Sequence, residues 1–83
     1  MKCYVIRRKK DGKFVSGTDY HYYPPHSILI SSADYRTPLL LPINKDFIET
    51  EINRRGINMK NYELILVELK ELVWLLLIID IFF

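Results

Sequence analysis

Residue types suited to binding are concentrated in one short stretch of the chain, Tyr20 to His26. It places three tyrosines and two histidines around a diproline, Pro24-Pro25, which must be extended. Tyrosine rings stack on bases and fill pockets on protein partners, while arginines pair with phosphates and carboxylates. The same rings could instead pack flat on the open face of a sheet. The predicted binding residues are Tyr20, His21, Tyr22 and Tyr23, with Arg7, Arg8 and Arg36 as neighbours.

Catalysis and metal binding have less support in the sequence. Cys3 with His21 or His26 would supply a thiol and an imidazole, but no orienting third group accompanies them, and we expect Cys3 to pack as a small hydrophobe. Asp19 and the two histidines are close in sequence, yet their spacing matches no established zinc motif. The three glycines fit a turn, a strand end and a helix cap, which leaves no glycine-rich phosphate loop. We therefore predict a protein that is not an enzyme and that holds no metal or cofactor.

The length and composition of the chain predict one small domain. It has 83 residues, a single cysteine and a formal charge of +2 from twelve basic and ten acidic residues. That net charge is too weak to identify a nucleic-acid binder, although the first thirteen residues are locally basic. Chains this short often need disulfides, metals or oligomerisation, and one cysteine cannot form an internal disulfide. We therefore expect a homo-oligomer, and the single cysteine without an N-terminal signal sequence predicts a cytoplasmic location.

A β-hairpin is predicted at the N-terminal end of the chain. Asp11-Gly12 separates two β-prone runs, Lys2 to Arg8 and Phe14 to Gly17, and Asp-Gly is a strong hairpin signal because it tolerates positive φ. A two-residue turn at this position would pair Arg8 with Val15. The basic residues would then cluster at the hairpin tip.

Two shorter segments follow the tyrosines. Ser27 to Ser31 is apolar and suits a brief strand. Leu39-Leu40-Leu41 is fenced by Pro38 and Pro42, and because proline has no N–H to donate, any strand formed here is confined to a sheet edge.

One helix and one later strand complete the predicted elements. Asn44 as N-cap and Gly56 as the left-handed residue beyond the C-terminus define a helix from about Lys45 to Arg55. The run from Tyr62 to Leu69 predicts a strand that is buried on both faces at its start.

These elements predict an α+β fold for residues 1–71. A small antiparallel sheet, formed by the hairpin and the strand near 62–69, would pack on the helix near 45–55. We expect the helix to present its isoleucines to the sheet, since they recur at a spacing of four. The expected core residues are Val5 or Ile6, Phe14, Ile48, Ile52, Leu64, Leu66 and Val67.

Residues 72–83 form an apolar C-terminal segment that could be helix or strand. As a helix it would cover about 18 Å, which is short of the roughly 30 Å of hydrocarbon that a membrane span crosses. Left exposed, it would exceed the apolar patch that a monomer tolerates, so we expect it to pack on another subunit, on the domain itself or on a membrane surface. The predicted oligomer contacts are Trp74, Leu77, Ile78, Ile81 and Phe82.

Several local sequence signals follow one another in a characteristic order along the first seventy residues. They are Tyr4-Val5-Ile6, Asp11-Gly12-Lys13, Phe14-Val15-Ser16-Gly17, the helix from Asn44 to Gly56, and Asn61-Tyr62-Glu63. In this order the chain resembles small accessory proteins of bacteriophages and prophages. The resemblance implies a non-enzymatic role in the cytoplasm of a host bacterium, where such proteins often bind a host macromolecule and sometimes inhibit a defence system. It carries over no site residue.

Two other functions remain open at this stage. The tyrosines and the basic hairpin could together bind and sequester a nucleotide or a nucleic acid. The apolar C-terminal segment could instead make the chain a subunit of a structural assembly.

Overall fold

A computed structural model describes residues 1–31, 34 and 36–68, together with the backbone of 69 and of 76–78. It confirms a small α+β fold with an antiparallel sheet and one helix. In chain order the elements are β1 (Lys2–Arg8), β2 (Phe14–Asp19), β3 (His26–Ile30), α1 (Lys45–Arg54), β4 (Tyr62–Leu69) and β5 (Leu76–Ile78).

The sheet has the strand order β3-β2-β1-β4, with the short β5 beside β4. β1 pairs with β4 along its whole length, from Lys2 opposite Glu68 to Arg8 opposite Tyr62. β2 and β3 pair from Phe14 opposite Ile30 to Asp19 opposite His26, with an irregularity between Val15 and Gly17. The connection between β2 and β3 therefore lies at the opposite end of β2 from the connection between β1 and β2.

The N-terminal hairpin is present, but its predicted register is wrong. Arg7 lies opposite Phe14. The loop is closed by bonds from the Arg8 N–H to the Lys13 carbonyl (2.7 Å) and from the Gly12 N–H to the Arg8 carbonyl (2.9 Å). Four residues therefore form the connection in place of two. The Asp11 carboxylate stabilises the longer loop, because it accepts bonds from the Arg8 side chain and from the Lys13 N–H.

The segment between the two prolines, Leu39 to Leu41, does not form a strand at a sheet edge. It lies in the seam between β1 and β2, where Leu41 exchanges two 2.8 Å backbone bonds with Tyr4 and the Leu39 N–H donates to the Val15 carbonyl at 2.9 Å. The flanking prolines do not interfere, because the N–H groups that pair belong to the leucines between them. The segment thus supplies backbone partners along part of β1 that β2 does not reach.

The two faces of the sheet carry separate apolar clusters. Alternation along β1 sends Val5 to one face and Ile6 to the other, and both are fully buried. On the side of α1 the buried residues are Ile6, Val15, Leu41, Ile48 and Ile57. On the opposite side they are Cys3, Val5, Phe14, Ile30, Ile65 and Val67.

Most of the expected core is confirmed. Ile52 and Leu64 are only partly buried, although both pack against the cluster beneath α1. Leu66 is also partly exposed, and its neighbour Ile65 is buried in its place. Cys3 packs as the expected small hydrophobe, and burial raises the pKa of its thiol, which disfavours the nucleophilic thiolate.

Both predicted caps of α1 are confirmed. The Asn44 side chain accepts a bond from the Phe47 N–H at 3.1 Å. At the other end Gly56 has φ +66°. The Ile57 N–H donates to the Ile52 carbonyl at 3.1 Å and the Gly56 N–H to the Asn53 carbonyl at 3.2 Å, which is the pair of bonds that defines a Schellman motif.

The predictions for the C-terminal segment fall mostly outside the described residues. The backbone of residues 76–78 pairs with β4, where Val67 lies opposite Ile78. Trp74, Ile81 and Phe82 lie outside the described residues, as do the side chains of Leu77 and Ile78. None of the helices in the described part of the chain is long and apolar enough to cross a membrane.

Candidate binding site at the tyrosine loop

Residues 20–25, here named the tyrosine loop, connect β2 to β3 and lie against the C-terminal end of α1. Arg54 donates from Nη1 to the hydroxyl of Tyr20 at 2.8 Å, and its guanidinium carbon is 5.7 Å from the ring centroid. The next residue, Arg55, donates from Nη1 to Oγ1 of Thr18, also at 2.8 Å. Two consecutive arginines therefore attach the C-terminal end of α1 to the end of β2 and to the first residue of the loop.

A single carboxylate orients both arginines. Glu51 accepts two 2.9 Å bonds from Nε and Nη2 of Arg54, and Oε1 also accepts from Arg55 at 3.1 Å. The bonds from Arg54, with those from Arg55, lower the pKa of Glu51 to about 2. Because charged hydrogen bonds of this kind fix geometry as well as charge, Nη1 of Arg54 is directed toward Tyr20 in the loop and Nη1 of Arg55 toward Thr18 in β2.

Backbone packing adds a second attachment at Gly56. A β-carbon at this position would lie 3.2 Å from Cδ of Pro25 and 3.6 Å from Cβ of Pro24. The diproline therefore rests directly on the residue that ends the helix. Glycine serves two purposes here, because it adopts the positive φ of the cap and leaves room for the proline rings.

The tyrosine rings remain exposed, although contacts fix the positions of two of them, Tyr20 and Tyr22. Tyr20 and Tyr22 are 51% and 52% exposed, and Tyr23 is fully exposed. Tyr22 stacks on His26 with ring centroids 3.8 Å apart and planes inclined by 5°. The fully exposed ring of Tyr23 does not pack on the sheet, and Tyr20 and Tyr22 each leave about half of their surface to solvent. The loop instead presents three aromatic rings to solvent from a supported backbone.

Asp19 fixes the start of the loop. Its Oδ1 accepts a bond from the His21 N–H at 2.9 Å and lies 2.7 Å from Nδ1 of the same histidine. The bond from the backbone N–H, with that from the imidazole, lowers the pKa of Asp19. Of the three residues considered as metal ligands, His26 is engaged in stacking with Tyr22. Across the described residues, no group of three or more histidine, cysteine or acidic side chains is arranged to hold a metal ion.

The three arginines predicted beside the tyrosines each contact an acidic side chain. Arg7 and Arg8 stand at the hairpin end of β1, whereas the tyrosine loop begins at the far end of β2, about 17 Å away for six extended residues. Arg36 bonds to Asp34, and this holds the pKa of Asp34 at about 2. The acidic partners of the three arginines are Glu63 for Arg7, Asp11 for Arg8 and Asp34 for Arg36.

Arg54 and Arg55 are the site residues that the sequence pattern missed. Their position at the end of the helix predicts only a favourable interaction with the helix dipole. The sequence feature that could have drawn attention to them is that two consecutive arginines directly precede Gly56, the glycine that ends the helix.

No protein-family model, curated protein or solved structure matches this chain.

Proposed function

We propose that this protein is a non-enzymatic accessory protein of a bacteriophage or prophage that binds a host protein through the tyrosine loop. The observation that carries the proposal is the combination of exposure and fixed position in Tyr20 and Tyr22. Tyrosine and arginine are the residue types that dominate binding energy at protein interfaces. A supported loop also loses little conformational freedom on binding, so more of the contact energy is retained as affinity.

The charge of the loop favours a protein over a phosphate backbone. The guanidinium of Arg54 is paired with Glu51, and Asp19 lies at the start of the loop. The surface around the rings is therefore aromatic with balanced charge, whereas strands of nucleic acid are held mainly by unpaired cations.

The surface extends from the loop onto β3, which is an edge strand in the described sheet. Ile28 on this strand is 44% exposed. Together with the side chains of Thr18, Asp19, Tyr20 and His21 it lines a shallow depression of about 490 Å³. A stable interface usually buries about 800 Å² on each partner, so we expect Tyr23 and its neighbours to form the centre of a contact that includes β3.

Site-directed crosslinking tests this proposal. A photoreactive phenylalanine analogue replaces Tyr23, which is fully exposed, and a matched control carries it at Phe47, which is 45% exposed on α1. Illumination in bacterial host cells is expected to join one discrete host protein to the chain from position 23 and not from position 47. Equal labelling from both positions, or none from position 23, would contradict the proposal.

The purified partner then allows the loop to be tested quantitatively. We expect Tyr23→Ala and Tyr22→Ala each to weaken binding by roughly tenfold or more, as truncation of a central aromatic typically does. Phe47→Ala should leave the affinity unchanged. If the partner belongs to a defence system, expressing the chain should raise phage plating efficiency on cells that carry that system, and Tyr23→Ala should remove the effect.

A further inference from the structure

A second groove lies at the hairpin end of the sheet, at the opposite end of β2 from the tyrosine loop. It has a volume of about 400 Å³, which falls in the lower part of the range for small-molecule sites of about 300 to 1,000 Å³. Its walls are the β1–β2 loop and the turn that precedes β4. The lining residues are Arg8, Lys9, Lys10, Lys60, Asn61 and Tyr62.

Backbone bonds hold the two walls together. The Lys9 N–H donates to the Asn61 carbonyl at 2.9 Å. The turn itself is closed by a 2.9 Å bond from the Asn61 N–H to the Asn58 carbonyl and a 3.0 Å bond from the Lys60 N–H to the Asn58 side chain. At the floor, Arg8 and Tyr62 are cross-strand partners in the sheet. The backbone positions of Lys9 and Lys60 are therefore set by the fold.

The groove is strongly cationic. All three lysines are exposed, and none of them pairs with a carboxylate among the residues that the structure describes. The acid nearest in sequence, Asp11, is neutralised by Arg8, whose Nε lies 3.1 Å from Oδ1. That contact holds the pKa of Asp11 well below its usual range, so the pair stays ionised on both sides and contributes no net charge. Three positive charges remain for a ligand.

We propose that this groove binds closely spaced phosphate groups, such as those of a nucleoside triphosphate or of a single nucleic-acid strand. A triphosphate concentrates several negative charges within one short chain of atoms, which suits three ammonium groups around a space of this size. The carboxylates of an acidic peptide are spaced farther apart than the phosphates of a triphosphate, and they carry no base that can stack on an aromatic ring. The partly buried ring of Tyr62 also provides an aromatic surface at the floor of the groove, where a base can stack. This site goes beyond the proposed function and does not depend on it.

The test measures binding of four probes to the full chain in 50 mM salt. They are inorganic triphosphate, ATP, a twelve-nucleotide thymidine strand and a twelve-residue polyglutamate. We expect the phosphate probes to bind and polyglutamate to bind at least tenfold more weakly. Binding should weaken as salt rises, with a slope of log affinity against log salt that becomes shallower by roughly 0.7 to 1 for each phosphate-contacting lysine removed. Saturation by ATP at one molecule per chain identifies a free nucleotide as the source, saturation by inorganic triphosphate alone identifies a free polyphosphate, and tight binding of the strand alone identifies nucleic acid.

Matched variants assign the binding to the groove. The triple variant Lys9→Gln, Lys10→Gln, Lys60→Gln is expected to lose at least tenfold in affinity, while Lys45→Gln, an exposed lysine at the start of α1, should change it by less than twofold. Tyr23→Ala should also leave phosphate binding intact, which separates this site from the tyrosine loop. An unchanged circular dichroism spectrum and melting temperature confirm that the triple variant is folded. The proposal is overturned if no phosphate probe binds, if polyglutamate binds as tightly, or if Lys45→Gln weakens binding as much as the triple variant.

Discussion

Gly56 ties the helix to the tyrosine loop through its backbone conformation and through the side chain that it lacks. Gly12 has a similar φ, +73° against +66°, but an added β-carbon there would meet nothing within 4 Å. Comparing the same substitution at Gly12 and at Gly56 therefore separates the cost of backbone strain from the cost of steric contact. A left-handed conformation alone costs a residue other than glycine about 1 to 2 kcal/mol.

We expect Gly12→Ala to lower the free energy of unfolding by about this amount, 1 to 2 kcal/mol. Gly56→Ala should cost more, because Pro25 must also move away from the new methyl group. Urea denaturation of both variants measures the difference. NMR chemical shifts of Tyr20 and Tyr22 should change in Gly56→Ala and not in Gly12→Ala. Equal costs for the two variants, with unchanged tyrosine signals, would show that the loop does not rest on Gly56.

The contacts that Arg54 and Arg55 make with the sheet and the loop could not be predicted from local residue types. Their position predicts a favourable interaction with the helix dipole, and that part is local. Their bonds to Tyr20 and Thr18 join residues 34 and 37 positions apart in the chain. Such pairs depend on where the loop between β2 and β3 meets α1, and no short-range pattern encodes that placement.

The last turn of α1 contains an acid-sensitive link between the helix and the loop. Glu51 bonds to Arg54 and Arg55, and its pKa falls from about 4.5 to about 2. A carboxyl group whose pKa is lower in the folded state than in the unfolded state increases the free energy of unfolding at every pH above its unfolded-state pKa. That contribution is lost as the pH falls through the folded pKa. The relevant window is therefore between about pH 4.5 and pH 2.

We expect Glu51→Gln to reduce the free energy of unfolding at pH 6 and to flatten its fall between pH 4.5 and 2. The fall should persist in part, because Asp34 has a pKa of about 2 and titrates in the same window. Urea denaturation at a series of pH values checks this expectation. A variant whose curve runs parallel to that of the wild type would show that Glu51 adds no pH-dependent stability.

At the level of elements, local signals predicted what each segment forms more reliably than how the segments pair. The caps of α1 were predictable because each uses residues within a few positions of the other. The hairpin register was not, because the Asp11 carboxylate can support a four-residue loop as well as a two-residue turn. The predicted and observed registers differ by two positions, which is an even number. Each side chain therefore keeps its face of the sheet, and Phe14 is buried as predicted.

Across the whole molecule, two candidate binding surfaces occupy opposite ends of β2. The tyrosine loop follows Asp19, and the cationic groove adjoins the hairpin loop that precedes Phe14. A single ligand site built from the tyrosines and the basic hairpin therefore has no support in this arrangement. The strand order and the insertion of Leu39 and Leu41 beside β1 were also beyond prediction, because both depend on pairing between distant segments.

The oligomeric state is the remaining prediction for the molecule as a whole. The apolar segment 72–83 contains Trp74, and in a chain of 9.9 kDa we expect it to join subunits. Light scattering during size exclusion, over a range of protein concentrations, should give a mass that is a multiple of 9.9 kDa. Trp74→Glu should shift the mass toward that of a monomer, because a charge cannot be buried unpaired in an apolar contact.

Phe47→Glu is the matched control, because Phe47 is 45% exposed on α1, and this substitution should leave the mass unchanged. A monomer at every concentration would refute self-association. An oligomer that Trp74→Glu leaves intact would refute the placement of the contact, because a buried glutamate at a subunit interface must either weaken it or acquire a partner charge. Self-association through the C-terminal segment would also give the assembly several tyrosine loops, so its avidity for a multivalent partner should exceed that of one chain.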